Sequence, residues 1–291
     1  MSPTGAAAFA VTQWPAPAKL NLFLHVTGRR ADGYHELQTL FQLVDLCDTI
    51  RLEPLPDGRI ERPLGPAGVP AEEDLTVRAA RALKAAVSSW AGVSIRVTKR
   101  IPEGAGLGGG SSDAATVLLA LNQLWGCGLG GAELARLGAT LGADVPVFIE
   151  GNTAWGEGVG ERLTPVAVPP RWYVIVHPGV RISTREVFQI PELTRNSPRI
   201  TLRAFFESGG RNDCEPVVCR RWPEVGRALD WLGASGTARL SGTGACVFAG
   251  FAGEAEARAV AARVPAPWVG YVARGLEVSP VRALLAGERR A

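Results

Sequence analysis

A glycine-rich segment at residues 102–113, Pro-Glu-Gly-Ala-Gly-Leu-Gly-Gly-Gly-Ser-Ser-Asp, constrains the fold more than any other feature of the chain. Residues 93–98 before it alternate apolar and polar side chains, which predicts a half-buried strand. Residues 114–124 after it place apolar side chains at helical spacing, and residues 111–113 can cap the start of that helix. Glycines between a strand and a helix N-terminus let an anion reach orphan N–H groups and the positive end of the helix dipole. The segment therefore predicts a phosphate-binding loop, with a nucleotide phosphate as the anion.

The side chains around this loop distinguish it from three known glycine loops. A Walker-type loop ends in Gly-Lys-Ser/Thr, but Lys99 is the last lysine in the chain. Gly104, Gly106 and Gly109 match a dinucleotide-binding pattern, yet residues 127–131 read as a turn where that fold needs a second strand. The motifs of protein kinases are absent from the sequence. The segment instead resembles the central motif of the GHMP kinases, the superfamily of galactokinase and the homoserine, mevalonate and phosphomevalonate kinases. A glycine turn without a ligand is the alternative, disfavoured because elements of different period flank it.

The composition excludes several classes of protein. With 291 residues, 46% of them apolar and 20% charged, the chain is long enough for two globular domains. The net charge is only +3 and the basic residues are scattered, so we expect no nucleic-acid partner. No apolar run approaches the roughly 20 residues that span a bilayer, and no secretory signal is seen, so we expect a cytoplasmic protein without a membrane partner.

Lysine is rare in this chain. Lys19, Lys84 and Lys99 are the only lysines, whereas arginine is common. A position that keeps lysine can need its compact point charge. Lys19 and Asn21 lie two residues apart in an alternating segment, so a strand there projects both side chains toward one surface. A solvated lysine at the start of a strand is the alternative interpretation.

Further motifs carry a closer resemblance. They extend from about Trp14 to Pro280 and comprise residues 17–22, 28–39, 141–148, 156–161, 177–179, 212–215 and 241–248. In this order they resemble the segments of the 4-diphosphocytidyl-2-C-methyl-D-erythritol kinases, the ATP-dependent kinases of the non-mevalonate isoprenoid pathway. The pattern Gly-x-Arg-x-Asp-Gly-Tyr-His-x-Leu-x-Thr at residues 28–39 resembles them most closely. The resemblance implies phosphorylation of the 2-hydroxyl of 4-diphosphocytidyl-2-C-methyl-D-erythritol, with the 2-phosphate and ADP as products.

The resemblance also implies an α+β chain with the two-domain fold of the GHMP kinases and an active site in the interdomain cleft. The local patterns agree, and they predict strands near residues 18–27, 47–53 and 93–99 and helices near 74–89, 111–125 and 131–141. A Pro-rich stretch at 165–170 suggests a boundary between an N-terminal ATP-binding domain, 1–164, and a C-terminal domain, 165–291, that contributes to the substrate site. The second domain is expected to open with a buried strand at 172–177 and to contain a hairpin around residues 241–244.

Phosphoryl transfer needs a held donor and an oriented hydroxyl. Asp144 follows Gly142, which ends a predicted helix, and precedes a predicted strand, so this junction can aim a carboxylate into a cleft. We predict Asp144 as the general base, and the resemblance implies that Lys19 lies beside it and keeps the carboxylate ionised. Taken alone, the segment also allows Asp144 to be a helix cap or a surface turn residue.

The resemblance implies the binding residues as well. The predicted ATP-phosphate site comprises Pro102, Gly104, Gly106, Leu107, Gly108, Gly109, Gly110, Ser111 and Ser112. The predicted substrate site comprises Asn21, Tyr34, His35, Asp113, Thr184 and Phe188. Within it, Tyr34 and Phe188 sandwich the cytosine ring, while His35 meets its hydrogen-bonding edge. Each of these three residues, taken singly, also fits an ordinary core or turn position.

The implied cofactors are ATP and Mg²⁺, with the ion carried by the nucleotide phosphates and Ser111 or Ser112 within its reach. No metal site is predicted from the sequence, because the three histidines lie far apart and the five cysteines lack a Cys-x-x-Cys pair. The expected partners are ATP and a small molecule with a cytidine diphosphate group, and we expect a monomer or weak homodimer. Two alternatives stay open: another kinase of the superfamily, which the adjacent Tyr34 and His35 disfavour, and a non-catalytic ligand-sensing module of kinase ancestry.

Overall fold

A computed structural model describes residues 10–288, which form ten strands and ten helices. The strands are β1 (Thr12–Arg29), β2 (His35–Leu55), β3 (Ile60–Leu64), β4 (Gly92–Thr98), β5 (Ala154–Gly158), β6 (Arg162–Pro165), β7 (Trp172–His177), β8 (Ala238–Leu240), β9 (Val247–Phe251) and β10 (Val269–Leu276). The helices are α1 (Leu75–Ala86), α2 (Gly109–Leu124), α3 (Gly131–Ala139), α4 (Val145–Glu150), α5 (Thr184–Gln189), α6 (Leu202–Ser208), α7 (Glu215–Arg221), α8 (Pro223–Gly233), α9 (Glu254–Ala261) and α10 (Pro280–Glu288).

Most of the elements expected from the sequence are present. The three predicted strands of the first half lie in β1, β2 and β4, and the three predicted helices correspond to α1, α2 and α3. One prediction is wrong: the residues after Asp144 form the helix α4 and not a strand. Pro146, in the first turn of α4, favours a helix start because its missing N–H would have no intrahelical acceptor there.

One sheet runs through both halves of the chain. Its strand order is β3-β4-β2-β10-β7-β9-β8, and β1 and β5 also pair with β2. Strand β10 is the junction, because it pairs with β7 from Val269 to Arg274 and with β2 only through Gly275 and Leu276. The predicted hairpin is confirmed, since β8 and β9 are antiparallel neighbours joined by a short turn.

Three clusters of buried side chains fill the described part of the chain. The first packs α1, α2, α3, α4 and α10 against β1, β2 and β4. The second packs α5, α7, α8 and α9 against β7, β8 and β9. The third takes side chains from both halves and includes Ala105 and Leu107 of the glycine-rich segment. That segment is therefore anchored in the core where the two halves meet.

The end of the chain returns to the first half. Val281 of α10 is buried in the first cluster, and Arg282 Nη1 donates to the carbonyl oxygen of Ile149 at 3.2 Å. The N–H of Ser279 donates to the carbonyl oxygen of Gly151 at 2.7 Å. The predicted division into residues 1–164 and 165–291 stays a prediction, and residues 1–9 and 289–291 of those ranges lie outside the described residues.

Candidate active site

A cleft of about 1240 Å³ lies between the two halves of the chain. Its walls include β1, the start of β2, residues 102–108 (the glycine loop), the starts of α2 and α4, the helix α5, and the turn between β8 and β9. The segment 66–75, which leads into α1, and Arg195 also line it. Ligand pockets for one drug-sized molecule usually hold about 300–1,000 Å³, so this cleft has room for more than one ligand. It occupies the position that the expected fold gives to an active site.

The glycine loop turns directly into α2 without a side-chain cap. Gly108 precedes α2 in a left-handed conformation, with a φ of 71°, and no side chain caps the helix. The cap predicted from residues 111–113 is therefore wrong, because α2 begins earlier, at Gly109. The first N–H groups of a helix have no intrahelical acceptor, so those of α2 are available to an anion in the cleft.

The second half of the chain holds the glycine loop in place. The carbonyl oxygen of Gly104 accepts the N–H groups of Ile182 at 3.3 Å and Ala245 at 3.2 Å. Ser241 Oγ donates to the carbonyl oxygen of Gly106 at 3.0 Å. A Cβ at Gly106 would lie 2.0 Å from the carbonyl oxygen of Ser241, so only glycine allows this approach. The turn between β8 and β9 therefore shapes the loop as well as closing a hairpin.

Lys19 and Asp144 meet in this cleft. Lys19 Nζ lies 3.4 Å from Asp144 Oδ2 and donates to Asn21 Oδ1 at 2.6 Å. The lysine side chain is 4% exposed and the aspartate side chain is 35% exposed, so the carboxylate is the member that contacts solvent in the cleft. The N–H of Lys19 donates to the carbonyl oxygen of Leu107 at 3.0 Å, which ties the pair to the glycine loop. Strand β1 thus presents Lys19 and Asn21 together, as its alternation predicts.

Asp144 lies at the start of α4 but does not cap it. Its backbone is helical, with φ −85° and ψ −8°, and its side chain makes no capping hydrogen bond. The helix-cap alternative is therefore not what the structure shows. The carboxylate is instead oriented toward Lys19 by the short connection from α3 to α4.

A buried cluster of charged side chains lies at the N-terminal end of α2, and the sequence analysis did not predict it. Lys99 Nζ donates to Asp113 Oδ2 at 2.7 Å and also to Asp48 Oδ2. Asp48 Oδ1 accepts the backbone N–H groups of Arg100 and Ile101. Asp113 therefore belongs to this buried cluster, and it also lines the cleft together with Lys99. Its substrate-binding role stays a prediction.

Replacing Asp113 by Asn is expected to stabilise the protein at alkaline pH. Burial raises the pKa of the Asp113 carboxyl, Lys99 opposes the rise and Asp48 adds to it. Because the folded-state pKa is raised, the contribution of Asp113 to stability is present at low pH and is lost as pH rises through that pKa. We expect Asp113→Asn to raise Tm by about 2–4 °C at pH 8.5 and by less at pH 5.

The contact with Lys99 survives this exchange, because the amide oxygen can accept from Lys99 Nζ as Asp113 Oδ2 does. The control is Asp48→Asn, which should lower Tm at both pH values. In Asp48, one carboxylate oxygen accepts the two backbone N–H groups and the other oxygen accepts from Lys99. An asparagine amide has only one accepting oxygen, so it would lose one of these two sets of contacts. A larger stabilisation by Asp113→Asn at pH 5 than at pH 8.5 would contradict the prediction.

His35 and Phe188 form an aromatic stack at the other end of the cleft. Their ring centroids lie 4.8 Å apart with the planes at 22°. Tyr34 is 63% exposed, and no aromatic stacking partner of Tyr34 is found among the described residues. Phe188 thus faces His35 here, and the predicted clamp of Tyr34 and Phe188 around a base stays a prediction. Arg195, which the sequence analysis did not single out, donates from Nε to His35 Nε2 at 3.0 Å.

The two serines of α2 lie in different environments. Ser111 lines the cleft, whereas Ser112 is fully buried and its hydroxyl has no hydrogen-bond partner among the described residues. The Ser112 side chain is therefore buried away from the cleft surface in this structure, and its predicted role at the phosphates stays a prediction. Thr184 lines the cleft, its hydroxyl is hydrogen-bonded to that of Thr243 at 3.0 Å, and its substrate-binding role stays a prediction.

Comparison with known proteins gives the family of this chain. The family model of the GHMP kinases N-terminal domain matches residues 74–152, and that of the GHMP kinases C-terminal domain matches residues 190–270. A 4-diphosphocytidyl-2-C-methyl-D-erythritol kinase of Halorhodospira halophila is 60% identical over 280 residues, covering 95% of this chain and 97% of the relative. The chain belongs to the family of 4-diphosphocytidyl-2-C-methyl-D-erythritol kinases.

Solved structures agree with this membership. A crystal structure of a 4-(cytidine 5'-diphospho)-2C-methyl-D-erythritol kinase matches with a TM-score of 0.81 and 39% identity, over 91% of this chain and 99% of that chain. A homoserine kinase from Cytophaga hutchinsonii shares the fold, with a TM-score of 0.70 and 17% identity, over 96% of this chain and 97% of that chain. The resemblance inferred from the motifs and the expected α+β fold of the GHMP kinases are thereby confirmed. Among residues 10–288, no helix is both long and apolar enough to cross a membrane.

Proposed function

We propose that this chain transfers the γ-phosphoryl group of ATP to the 2-hydroxyl of 4-diphosphocytidyl-2-C-methyl-D-erythritol, producing the 2-phosphate and ADP. Its family membership supports both the substrate and ATP as the donor. The observation that carries the proposal is the pair of Lys19 and Asp144, 3.4 Å apart beside the glycine loop in one cleft. This arrangement supplies a proton acceptor next to an anion site, as phosphoryl transfer to an alcohol requires.

The glycine loop and the start of α2 hold the donor. The free N–H groups of the first helical turn and the positive end of the helix dipole are the groups that bind phosphate oxygens. Within residues 10–288 no three His, Cys, Asp or Glu side chains are grouped to hold a metal ion. Mg²⁺ would be held mainly by the ATP phosphates, and Ser111, which lines the cleft, is the residue that would contribute a hydroxyl ligand. When bound, such an ion would supply positive charge against the negative charge that develops on the phosphate oxygens.

Asp144 and Lys19 act on the acceptor. The 2-hydroxyl oxygen forms a bond to the γ-phosphorus while the bond from that phosphorus to the ADP oxygen breaks, and Asp144 accepts the hydroxyl proton. The ammonium of Lys19 lies beside the carboxylate of Asp144, and Asn21 holds Lys19 in position. Asn21 is itself fixed, because its Nδ2 donates to Thr39 Oγ1 at 2.9 Å.

The other end of the cleft receives the cytidine group. Stacking on an aromatic face stabilises any base, so Tyr34 and Phe188 contribute affinity without selecting cytosine. Selection needs an edge contact that offers a donor and an acceptor in the order cytosine requires, and His35 is the side chain that we assign to this edge.

The test of the function is ADP release by the full chain with ATP and one acceptor at a time. We expect turnover with 4-diphosphocytidyl-2-C-methyl-D-erythritol and a much slower rate with the uridine analogue, homoserine or mevalonate. Faster turnover of homoserine or mevalonate would instead identify another kinase of the superfamily. Ligand binding without ADP release from any of these acceptors would identify a sensing module.

Truncation of the aromatic side chains tests the assignment of the cytidine group to this end of the cleft. We expect Tyr34→Ala and Phe188→Ala each to weaken binding of the cytidylyl substrate by roughly 10- to 100-fold, with ATP affinity unchanged, because stacking is worth about 1–3 kcal/mol per base. Calorimetric titration measures the two ligands separately. Phe206→Ala is the control, since this aromatic side chain is 48% exposed on α6 and outside the cleft. Unchanged affinity in Phe188→Ala would remove α5 from the proposed clamp.

A further inference from the structure

We infer that Arg195 is a positioning residue that sets which nitrogen of His35 carries the proton, and thereby makes His35 a hydrogen-bond donor toward the cleft. The inference rests on the proposed function, because its consequence is the choice of cytosine over uracil. It is carried by one contact, in which Arg195 Nε donates to His35 Nε2 at 3.0 Å. Arg195 and His35 both line the cleft.

The chemistry of this contact leaves one protonation state. A guanidinium has five N–H donors and no acceptor, and it does not lose its proton in proteins. His35 Nε2 must therefore accept, which means that it carries no proton. The proton of the neutral imidazole is then on Nδ1, so Nδ1 is a donor. Nδ1 of His35 has no hydrogen-bond partner among the described residues and is not sealed from solvent, unlike both imidazole nitrogens of His25.

Arg195 is itself held in place by the segment that follows α5. Its Nη1 and Nη2 atoms donate to four backbone carbonyl oxygens, those of Phe188, Ile190, Pro191 and Leu193, at 2.8–3.1 Å. One guanidinium therefore fixes the end of the helix that carries Phe188 and also binds the imidazole stacked on that ring. The stack of His35 on Phe188 fixes the ring plane, and Arg195 fixes the position of the proton within it.

The charges around His35 oppose a second proton. Burial lowers the pKa of the His35 imidazole, and Arg195 and Arg29 lower it further. Within residues 10–288, these two arginines are the charged groups that act on the ring. The imidazole therefore stays neutral, with Nδ1 as donor and Nε2 as acceptor, to a pH below the ordinary value of about 6.5.

A donor on His35 distinguishes cytosine from uracil at only one ring atom. N3 of cytosine accepts a hydrogen bond, whereas N3 of uracil carries a proton and donates. The exocyclic group on C4 is a donating amino group in cytosine and an accepting oxygen in uracil, so a donor placed there would favour uracil. O2 accepts in both bases and distinguishes neither. An N–H of His35 that meets N3 therefore pairs with cytosine and leaves two donors opposed in uracil. If the proton moved to Nε2, Nδ1 would accept, and the preference would weaken or reverse.

The first test is a nitrogen NMR measurement of the imidazole tautomers in the full chain without ligand. The chain has only three histidines, so His35→Gln assigns the His35 signals by difference. We expect wild-type His35 to be neutral with the proton on Nδ1 at pH 7.5. In Arg195→Met, nothing holds Nε2 as the acceptor, so we expect the other tautomer to appear and the His35 pKa to rise. A proton on Nε2 in the wild type, or an unchanged tautomer in Arg195→Met, would overturn the inference.

The second test is kinetic. We expect Arg195→Met to raise KM for the cytidylyl substrate about 10-fold or more and to reduce the preference over the uridine analogue by a similar factor, with KM for ATP unchanged. The loss of substrate affinity on acidification should begin at a higher pH in Arg195→Met than in the wild type. Arg199→Met is the matched control, because Arg199 is exposed and pairs with Glu36 and Glu157 outside the cleft.

A double-mutant cycle separates positioning from a purely structural role. If Arg195 acts through His35, adding Arg195→Met to His35→Gln should cause little further loss of selectivity. If Arg195 only stabilises the segment after α5, the two losses of selectivity should multiply, which would contradict the inference. The tautomer is measured without substrate, so its result is independent of the proposed function. That function fails only if the wild type does not release ADP with the cytidylyl substrate.

Discussion

Asp144→Asn should lower turnover by about 100- to 10,000-fold while ATP binding is retained, because it removes the proton acceptor and keeps the shape of the side chain. The carboxylate lies 3.4 Å from Lys19 Nζ and keeps 35% of its side-chain surface exposed in the cleft, so it is placed to accept a proton from a bound alcohol. Lys19→Met should cause a comparable loss. The measurements are ADP release at saturating substrates and calorimetric titration with ATP.

The control for this substitution is Asp57→Asn, at an exposed carboxylate that pairs with Arg59 in a turn and lies outside the cleft. It should retain full activity. More than about a tenth of wild-type turnover in Asp144→Asn would assign the base to another group. Loss of ATP affinity in Asp144→Asn would show that the carboxylate also organises the phosphate site.

The predictable parts of the site are those built from neighbours in the sequence. Lys19 and Asn21 emerge from one side of β1 because successive side chains of a strand alternate, and this needs no knowledge of the rest of the molecule. The glycine loop was predictable for a similar reason, since a strand, a run of glycines and a helix follow one another directly. The meeting of Lys19 with Asp144, in contrast, was expected only through the family resemblance.

The contacts that the sequence did not predict join residues that are far apart along the chain. His35 and Arg195 are separated by 160 positions, and Lys99 and Asp48 by 51, so no local pattern indicates either pair. The helix α4 was not predicted for another reason. Its residues 145–149 are all apolar and all buried, and a short apolar run fits a buried strand as well as a buried helix. The packing of this segment against α2 and α3 determines which one forms.

Gly108→Val should lower kcat/KM for ATP by about 100-fold, because a side chain at this position disturbs both the phosphate loop and the catalytic lysine. Gly108 has a φ of 71°, a conformation that β-branched residues avoid. A Cβ there would lie 2.8 Å from Phe148 Cζ and 3.2 Å from Lys19 Cε. The loop and Lys19 would have to shift apart, so we expect kcat to fall together with ATP affinity, while the cytidylyl substrate binds almost as in the wild type.

Gly128→Val separates this effect from backbone strain. Gly128 has the same φ of 71°, but a Cβ there would meet nothing within 4 Å, and the residue lies outside the cleft. Both variants carry the strain of a positive φ, so both should lose Tm, and Gly108→Val should lose more because of its contact with Phe148. Only Gly108→Val should lose ATP affinity in a calorimetric titration. If Gly128→Val lost as much ATP affinity as Gly108→Val, or if Gly108→Val weakened both ligands equally, general destabilisation would explain the loss. A selective loss of ATP would instead locate the phosphates at the turn where β1, the glycine loop and α2 converge.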